Sequence, residues 1–389
     1  MASATISPKG ETRARSHPWI YRSDVTNVRA EPGDLVRVTG ARGRVVGHAL
    51  FSDRSEITLR MVALGPEPPA QNFVRDRLEA ALRFRESLAI DATAYRLVHG
   101  EADRLPSLVV DRYGDGSADY LVLQALSQGI DRRVPEIVAA LVDLVRPAGI
   151  LARNDPRVRQ LEGLDQTVVP LHGEVPERIE VREGAVRYYV DPWHGQKTGL
   201  FLDQRENREA ALRYARGRLL DAFSYNGGFA LALAPKCSSV LAVDISEDAV
   251  ARIRDNAARN GLTHVEAKAM NVFDELRELE RTGARFDTIV LDPPAFAKNK
   301  ASVPKALSGY KEINLRALKL LEPGGFLVTC SCSYNVTESM FLDVVAEAAA
   351  DAHAEVSLVE KRSQGRDHPI LINVPETYYL KCLILRRVA

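Results

Sequence analysis

From about residue 186 onward the chain alternates short apolar runs with longer stretches of helical period, and this alternation restricts the fold more than any other feature. Strands separated by helices build a parallel sheet, because a parallel neighbour is reached only by a crossover connection. Arg218-Leu-Leu-Asp-Ala-Phe, Val240-Leu-Ala-Val, Phe286-Asp-Thr-Ile-Val-Leu and Gly324-Gly-Phe-Leu-Val-Thr read as the first, second, fourth and fifth strands. The expected class is α/β, with a Rossmann-like, mostly parallel sheet over residues 186–389. Ligands of such sheets bind at the carboxyl ends of the strands, so the residues just past each run are the candidates for chemistry.

The chain ahead of this region reads differently. Residues 1–68 hold short strands (Leu35–Thr39, Arg44–Leu50, Ile57–Val62) punctuated by Glu31-Pro-Gly-Asp and Gly40-Ala-Arg-Gly, which suggests a small β-barrel. A proline-rich segment, Gly65-Pro-Glu-Pro-Pro, closes that unit. Residues 69–185 mix a helix near 72–90, strands at Ser107–Asp111 and Tyr120–Ala125, and a helix near 132–144, as expected of a central α+β domain. Equal numbers of basic and acidic residues, 52 each, exclude a uniformly basic surface, so any nucleic-acid contact is local. Residues 1–60 carry ten basic against six acidic side chains, a balance that suits a module contacting phosphates. The N-terminus lacks the basic and apolar regions of a signal peptide, and no apolar run is long enough to span a membrane; a cytoplasmic protein without a membrane partner is expected. Cys237, Cys330, Cys332 and Cys382 lack the spacing of a zinc site, and no metal is expected.

The first strand breaks into Ser224-Tyr225-Asn226-Gly227-Gly228, a glycine turn that lets a ligand approach the backbone. The second strand ends in Asp244, followed by Ile245, at a distance past the turn where an acid commonly holds ribose hydroxyls. NAD and S-adenosylmethionine both suit this layout. A dinucleotide needs G-x-G-x-x-G for its pyrophosphate. Here there is only one Gly-Gly pair, and Asp221 ends the strand, where a carboxylate repels pyrophosphate and attracts the ammonium of a methionine moiety. The expected cofactor is therefore S-adenosylmethionine, held by Asp221, the turn 224–228, Asp244 and Ile245.

The fourth strand ends in Asp292-Pro-Pro-Ala-Phe. Two prolines turn the chain out of the sheet at the ligand edge, where an acidic side chain meets the hydrogen-bonding edge of a nucleobase or the cofactor. Such a motif serves amine, ring-nitrogen and carbon acceptors alike. The fifth strand runs into Cys330-Ser-Cys332-Ser. Carbon-5 of a pyrimidine is a poor nucleophile until a thiolate adds to carbon-6, so a cysteine beside the Asp-Pro-Pro loop points to that chemistry. Cys330 continues the buried strand as a small apolar residue, whereas Cys332 lies farther out. Cys332 and Asp292 are the candidate catalytic pair; Cys237 and Cys382 are assigned to packing.

Taken together these motifs resemble the RlmI-like class I ribosomal RNA large-subunit (cytosine-5)-methyltransferases with an N-terminal PUA domain. The likeness covers nearly the whole chain. It includes His17-Pro-Trp-Ile-Tyr, Tyr95-Arg-Leu-Val-His-Gly-Glu-Ala-Asp-Arg-Leu-Pro, Val110-Asp-Arg-Tyr-Gly, the run from His194 to Arg205, Phe223-Ser-Tyr-Asn-Gly-Gly-Phe, Asp292-Pro-Pro-Ala-Phe, Ser331-Cys-Ser and Asp367-His-Pro-Ile. The resemblance implies a seven-stranded class I methyltransferase domain, Cys332 as nucleophile, and Asp203, Gln204 and Arg205 closing over cofactor and base. It further implies 23S ribosomal RNA as partner, with a homodimer as one compatible assembly. Asn271 stands where an acid often meets the adenine amino group, Asn226 where threonine is common, and Tyr334 where glycine is familiar. No cysteine accompanies Asp292-Pro-Pro, which leaves the group that releases the product unassigned.

The expected reaction is methylation of cytosine carbon-5 in large-subunit ribosomal RNA through a cysteine–C6 adduct, on a base withdrawn from its stack. Two alternatives stay open: a methyltransferase acting on a purine nitrogen such as guanine N7, which needs no cysteine, and a non-catalytic RNA-binding factor.

Overall fold

Runs buried on both sides build the sheet expected beyond residue 186. In the computed structural model, which describes residues 2–389, seven strands are Gly217–Ala222 (β1), Cys237–Asp244 (β2), Val265–Ala269 (β3), Phe286–Leu291 (β4), Leu321–Ser331 (β5), Val356–Arg362 (β6) and Lys381–Arg387 (β7). They lie in the order β3-β2-β1-β4-β5-β7-β6. The first five pair in parallel, and β7 runs antiparallel to both β5 and β6.

Successive residues of a strand face opposite sides, so each central strand feeds two cores. Leu220, Ile289 and Leu327 pack with Tyr310, Ile313 and Phe341, from the face carrying helices Val272–Arg281, Val303–Leu320 and Glu338–Asp351. Leu219, Val290 and Val328 pack with Ala210, Phe229 and Ile253, from helices Arg205–Leu212, Gly228–Leu233 and Glu247–Arg259. Ser246 caps the last of these by accepting from Ala249 N, as its position before the helix predicts. Strand order reverses between β1 and β4, and the crevice at such a reversal is where ligands enter. These elements form one compact unit, made of Glu183–Tyr189, Asp203–Gly365 and Tyr378–Ala389.

The other unit comprises Met1–Arg182, Val190–Leu202 and Arg366–Thr377. Its first sheet has six strands. Leu35–Gly40, Val45–Phe51 and Ile57–Leu64 match the expected runs; Ser3–Ile6, Trp19–Tyr21 and Val25–Arg29 complete it around Ile6, Ile20, Val36, Val38 and Leu59. A five-stranded sheet follows, built of Ala94–His99, Leu108–Gly114, Asp119–Ala125, Gly149–Asn154 and Thr167–Gly173. Helices Phe73–Ser87 and Val134–Val145 bury Val74, Leu78, Ile137 and Leu141 against its Val110, Leu121, Leu123 and Ile150.

The motifs distant from the glycine turn meet in a buried polar network of this unit. Asp111, fully buried, takes a bidentate pair from Arg96 (2.8 and 2.9 Å) and a 2.5 Å bond from Thr198, whose hydroxyl also meets Tyr113. Arg85 holds Asp103 through two nitrogens and donates to the Asp367 carbonyl, while the Asp367 carboxylate accepts from Arg96 N. His99 and His368 meet edge to face at 5.2 Å, and burial, with the neighbouring His368, Arg96 and Arg85, drives the His99 pKa well down. Each buried charge thus has a partner, without which its desolvation would be strongly destabilising. The segments 190–202 and 366–377 are tied to the sheet by this network.

Candidate functional site

The carboxyl ends of β1, β2 and β4 bring three acids together. Asp221 is fully buried. One of its oxygens accepts from Ala230 N at 2.8 Å, behind the glycine turn. Burial, with further repulsion from Asp292 and Asp244, raises its pKa to about 7. Asp244 spends its carboxylate on the Tyr225 and Ser246 amides, at 2.9 and 3.0 Å. Asp292 accepts at 2.8 Å from Gln204 Nε2, and Gln204 in turn accepts at 2.6 Å from Asn207. Three carboxylates gathered here, two of which raise the cost of ionising the third, form a site suited to a cationic ligand.

The turn between β1 and the helix Gly228–Leu233 is tightly wound. Phe223, Tyr225 and Gly227 all have positive φ (66°, 53° and 87°), a region that costs a side chain energy and that persists where surrounding bonds enforce it. Those bonds are Ser224 N to Val243 O, Gly227 N to Ser224 O, and Ser224 Oγ to Asp221 O. A Cβ on Gly228 would stand 3.2 Å from the Arg208 guanidinium. Arg208 is itself locked in a buried ion pair with Glu183, at 2.7–3.1 Å. Asn226 Nδ2, buried in the turn, has no hydrogen-bond partner, a donor left for a ligand. A backbone cradle without side-chain filling, an unsatisfied amide and an acidic edge fit a cationic nucleoside such as S-adenosylmethionine. Ile245 lies 70% exposed beside Asp244, and Met270, whose amide binds the Asp244 carbonyl, is 38% exposed. Asn271 is exposed and its Oδ1 already accepts from Phe273 N, which leaves one lone pair for a ligand amine.

The Asp-Pro-Pro and Ser-Cys-Ser motifs meet as their places in the sheet require. The Cys332 thiol donates to the Pro293 carbonyl at 3.8 Å, and Ala297 N donates to Ser333 Oγ at 3.1 Å. Ser331 and Ser333 both bind the Tyr310 hydroxyl, at 3.0 and 2.9 Å, so the flanking serines anchor the loop to the helix Val303–Leu320. Cys332 follows the end of β5 and is partly exposed. Cys330, one turn of the pleat earlier, is fully buried opposite Cys382. Burial pushes the Cys330 thiol well up, and Cys237 is raised likewise to about 11. Asp203 accepts from the Tyr379 hydroxyl at 2.7 Å and its carbonyl from Gly365 N; Arg205 is buried next to Glu206.

The structure thus gathers Asp221, Asp244 and Asp292 with the turn 224–228, sets Gln204 on Asp292, and brings Cys332 to the Asp-Pro-Pro loop. Sequence reasoning missed Asn207, Met270, Tyr379 and Lys381. Lys381, 2% exposed, donates to the Ser333 and Tyr379 carbonyls at 2.7 and 2.9 Å. Its only local signal was a lysine preceding the apolar run Cys382-Leu-Ile-Leu385.

The sequence profile of S-adenosylmethionine-dependent methyltransferases matches residues 147–386, and that of a PUA-like domain matches residues 4–63. Proteins named Ribosomal RNA large subunit methyltransferase I are similar along the whole chain. That of Tolumonas auensis is 41% identical over 386 residues, covering 96% of both chains. Those of Aeromonas salmonicida and Escherichia coli are 40% and 37% identical, each covering 98% of both chains. Among solved structures, the methyltransferase SMU.776 complexed with SAH superposes with a TM-score of 0.85 at 21% identity, covering 99% of this chain and 100% of that one. A methyltransferase from Streptococcus mutans does so at 0.83 and 20%, with the same coverage. At those identities the likeness speaks for the fold, a class I methyltransferase domain preceded by a PUA-like one. The cofactor is S-adenosylmethionine, and the chain belongs to the ribosomal RNA large subunit methyltransferase I family.

Proposed function

We propose that the protein methylates carbon-5 of a cytosine in large-subunit ribosomal RNA through a covalent adduct on Cys332. The relatives' name supplies the RNA class. The observation that carries the choice of atom is the Cys332 thiol, partly exposed and resting on the Pro293 carbonyl of the Asp-Pro-Pro loop. Methylation of a purine nitrogen gives that thiol no task.

The PUA-like region and the central domain, residues 1–68 and 69–185, grip folded RNA through its shape and phosphates. A cytosine leaves its stack and enters between the Asp292 and Cys332 loops. Asp292, aligned by Gln204, takes the N3/N4 edge of the ring. The Cys332 thiolate uses its electron pair to bond to carbon-6, the C5=C6 π bond breaks, and its pair moves into the ring to make carbon-5 nucleophilic. S-adenosylmethionine supplies an electrophilic methyl group on a sulfonium, which carbon-5 accepts. Loss of the carbon-5 proton to a base then expels the Cys332 sulfur and restores the aromatic ring. Asp221, Ser224, Tyr225, Asn226, Gly227, Gly228, Asp244, Ile245 and Asn271 hold the cofactor, while Asp203, Gln204 and Arg205 close over it.

RNA carrying 5-fluorocytosine has no carbon-5 proton to lose and should trap the adduct. A denaturation-resistant protein–RNA species is expected from the native chain and from Cys330→Ala, and is expected to vanish in Cys332→Ala. Robust turnover by Cys332→Ala would refute covalent catalysis.

A further inference from the structure

A cysteine serves as nucleophile only as thiolate, whose free pKa lies about 8.5, so a site of this kind needs a nearby source of positive charge. Charged and titratable groups from four elements lie around Cys332 and Lys381. Asp292, next to Pro293, is an anion and works against the thiolate. Tyr310, on the helix Val303–Leu320, is held by both serines, and burial, with the Cys332 charge adding to it, raises its pKa. Glu338, on the helix Glu338–Asp351, is engaged by Lys361 and by the Tyr378 hydroxyl. Lys381 of β7 is the cation among them, and it interacts electrostatically with Cys332.

We propose that Lys381 is a positioning residue whose buried ammonium favours ionisation of the Cys332 sulfur from the thiol that rests on the Pro293 carbonyl. The backbone of Lys381 pairs with Ser331, the residue before the cysteine, and its Nζ binds the carbonyl of Ser333, the residue after it. A second bond to the Tyr379 carbonyl fixes the side chain in a single orientation. No carboxylate lies within ion-pair distance of Lys381 among the described residues, although its side chain is almost wholly buried. An uncompensated buried cation is costly unless an anion forms beside it. Burial accordingly lowers the Lys381 pKa to about 8, with the Cys332 and Glu338 charges opposing that fall. The thiolate supplies the missing anion, and the two ionisations support each other.

The inference rests on Cys332 as the nucleophile of the proposed reaction, but its test uses neither RNA nor cofactor. Iodoacetamide alkylation of the full chain, read at each cysteine by mass spectrometry across pH, reports sulfur ionisation. The Cys332 midpoint is expected below the free-thiol value of about 8.5. In Lys381→Met it should rise by one unit or more, which slows alkylation near neutral pH by about tenfold; Lys381→Arg should recover part of the loss. A purely structural lysine would leave the midpoint in place. A midpoint at or above the free-thiol value in the native chain, or an unmoved one in a folded Lys381→Met, overturns the proposal. Where Lys381→Met does not fold, a native-chain midpoint at or above the free-thiol value still overturns the proposal, and Lys381→Arg or Lys381→Gln supplies the comparison. Active Cys332→Ala, by contrast, removes the covalent reaction and leaves this acidity measurement intact, so the two ideas fail separately.

Discussion

With Asp221 as a proposed holder of the cofactor's cationic end, cofactor affinity is expected to depend on pH in a direction set by that carboxylate. Burial lifts its pKa from 3.8 to about 7. Between those values the folded chain keeps a proton that the unfolded chain has released, so the stability contribution is fully present at acid pH and is lost as pH rises through about 7. Above that point, ionised Asp221 costs the cofactor-free protein on the order of 4 kcal/mol, from about three pKa units at 1.4 kcal/mol each. A bound cation offsets that cost. If the bound state requires ionised Asp221, affinity between pH 7.5 and 5.5 falls by about 25-fold, approaching tenfold per unit at the acid end. Asp221→Asn removes both effects. The Asn oxygen still accepts from Ala230 N, while its amide hydrogens replace the ionic cost with a smaller one of about 1–3 kcal/mol. At pH 8 the cofactor-free variant should therefore be more stable than the native chain by roughly 1–3 kcal/mol, yet bind S-adenosylmethionine at least about tenfold more weakly. Calorimetric titration and thermal unfolding over this pH range read both quantities. Native binding that stays flat across the range, or an Asp221→Asn variant that keeps the native slope, would show that the carboxylate does not face the cationic ligand.

Two further changes test the shell around the site. Gln204→Leu removes one donor from half-buried Asp292 and the acceptor of the buried Asn207 amide; single-turnover methylation should slow by about tenfold, in line with about 1–3 kcal/mol for a buried polar group left unpaired, and wild-type turnover would show that Asp292 needs no alignment. Glu183→Ala leaves Arg208 charged and buried behind the glycine turn; urea unfolding should show a loss of about 3–5 kcal/mol, whereas replacing both partners by methionine should recover most of it.

What the sequence made legible follows from which constraints are local. The parallel sheet showed itself because its first, second, fourth and fifth strands are short apolar runs followed by helices, each a local pattern, whereas Val265-Glu-Ala-Lys-Ala carries no such run. Asp221, Asp244 and Asp292 were readable because they end such runs, and chain direction fixes which edge a strand end occupies. In the other unit, Ser3–Ile6, Trp19–Tyr21 and Val25–Arg29 are too short to carry a period, and Thr167–Gly173 is an edge strand with Pro170 and mostly exposed residues. Gly149–Asn154 is buried along its whole length, so it shows no alternation to detect. Nor does local pattern tie residues 190–202 and 366–377 to their sheet; that depends on single polar contacts such as Thr198 to Asp111.

The same distinction explains why the proposed nucleophile was readable and its cation was not. Addition to a pyrimidine demands one rare residue type at one strand end, and Ser331-Cys332-Ser333 follows a strand that its own sequence announces. The serines then act locally: with both hydroxyls on Tyr310, they fix the backbone on either side of the sulfur. Lys381 reaches the same point from 49 residues farther along the chain, only because β7 returns antiparallel between β5 and β6 and sets it opposite Ser331. Register is a property of the assembled sheet; a slip of one residue in β7 would turn Lys381 to the opposite face and bring a neighbour to the thiol. The proposed acidity of Cys332 is therefore a product of sheet topology, and variants that loosen the β5–β7 pairing without touching either residue should raise its alkylation midpoint, as expected for Lys381→Met.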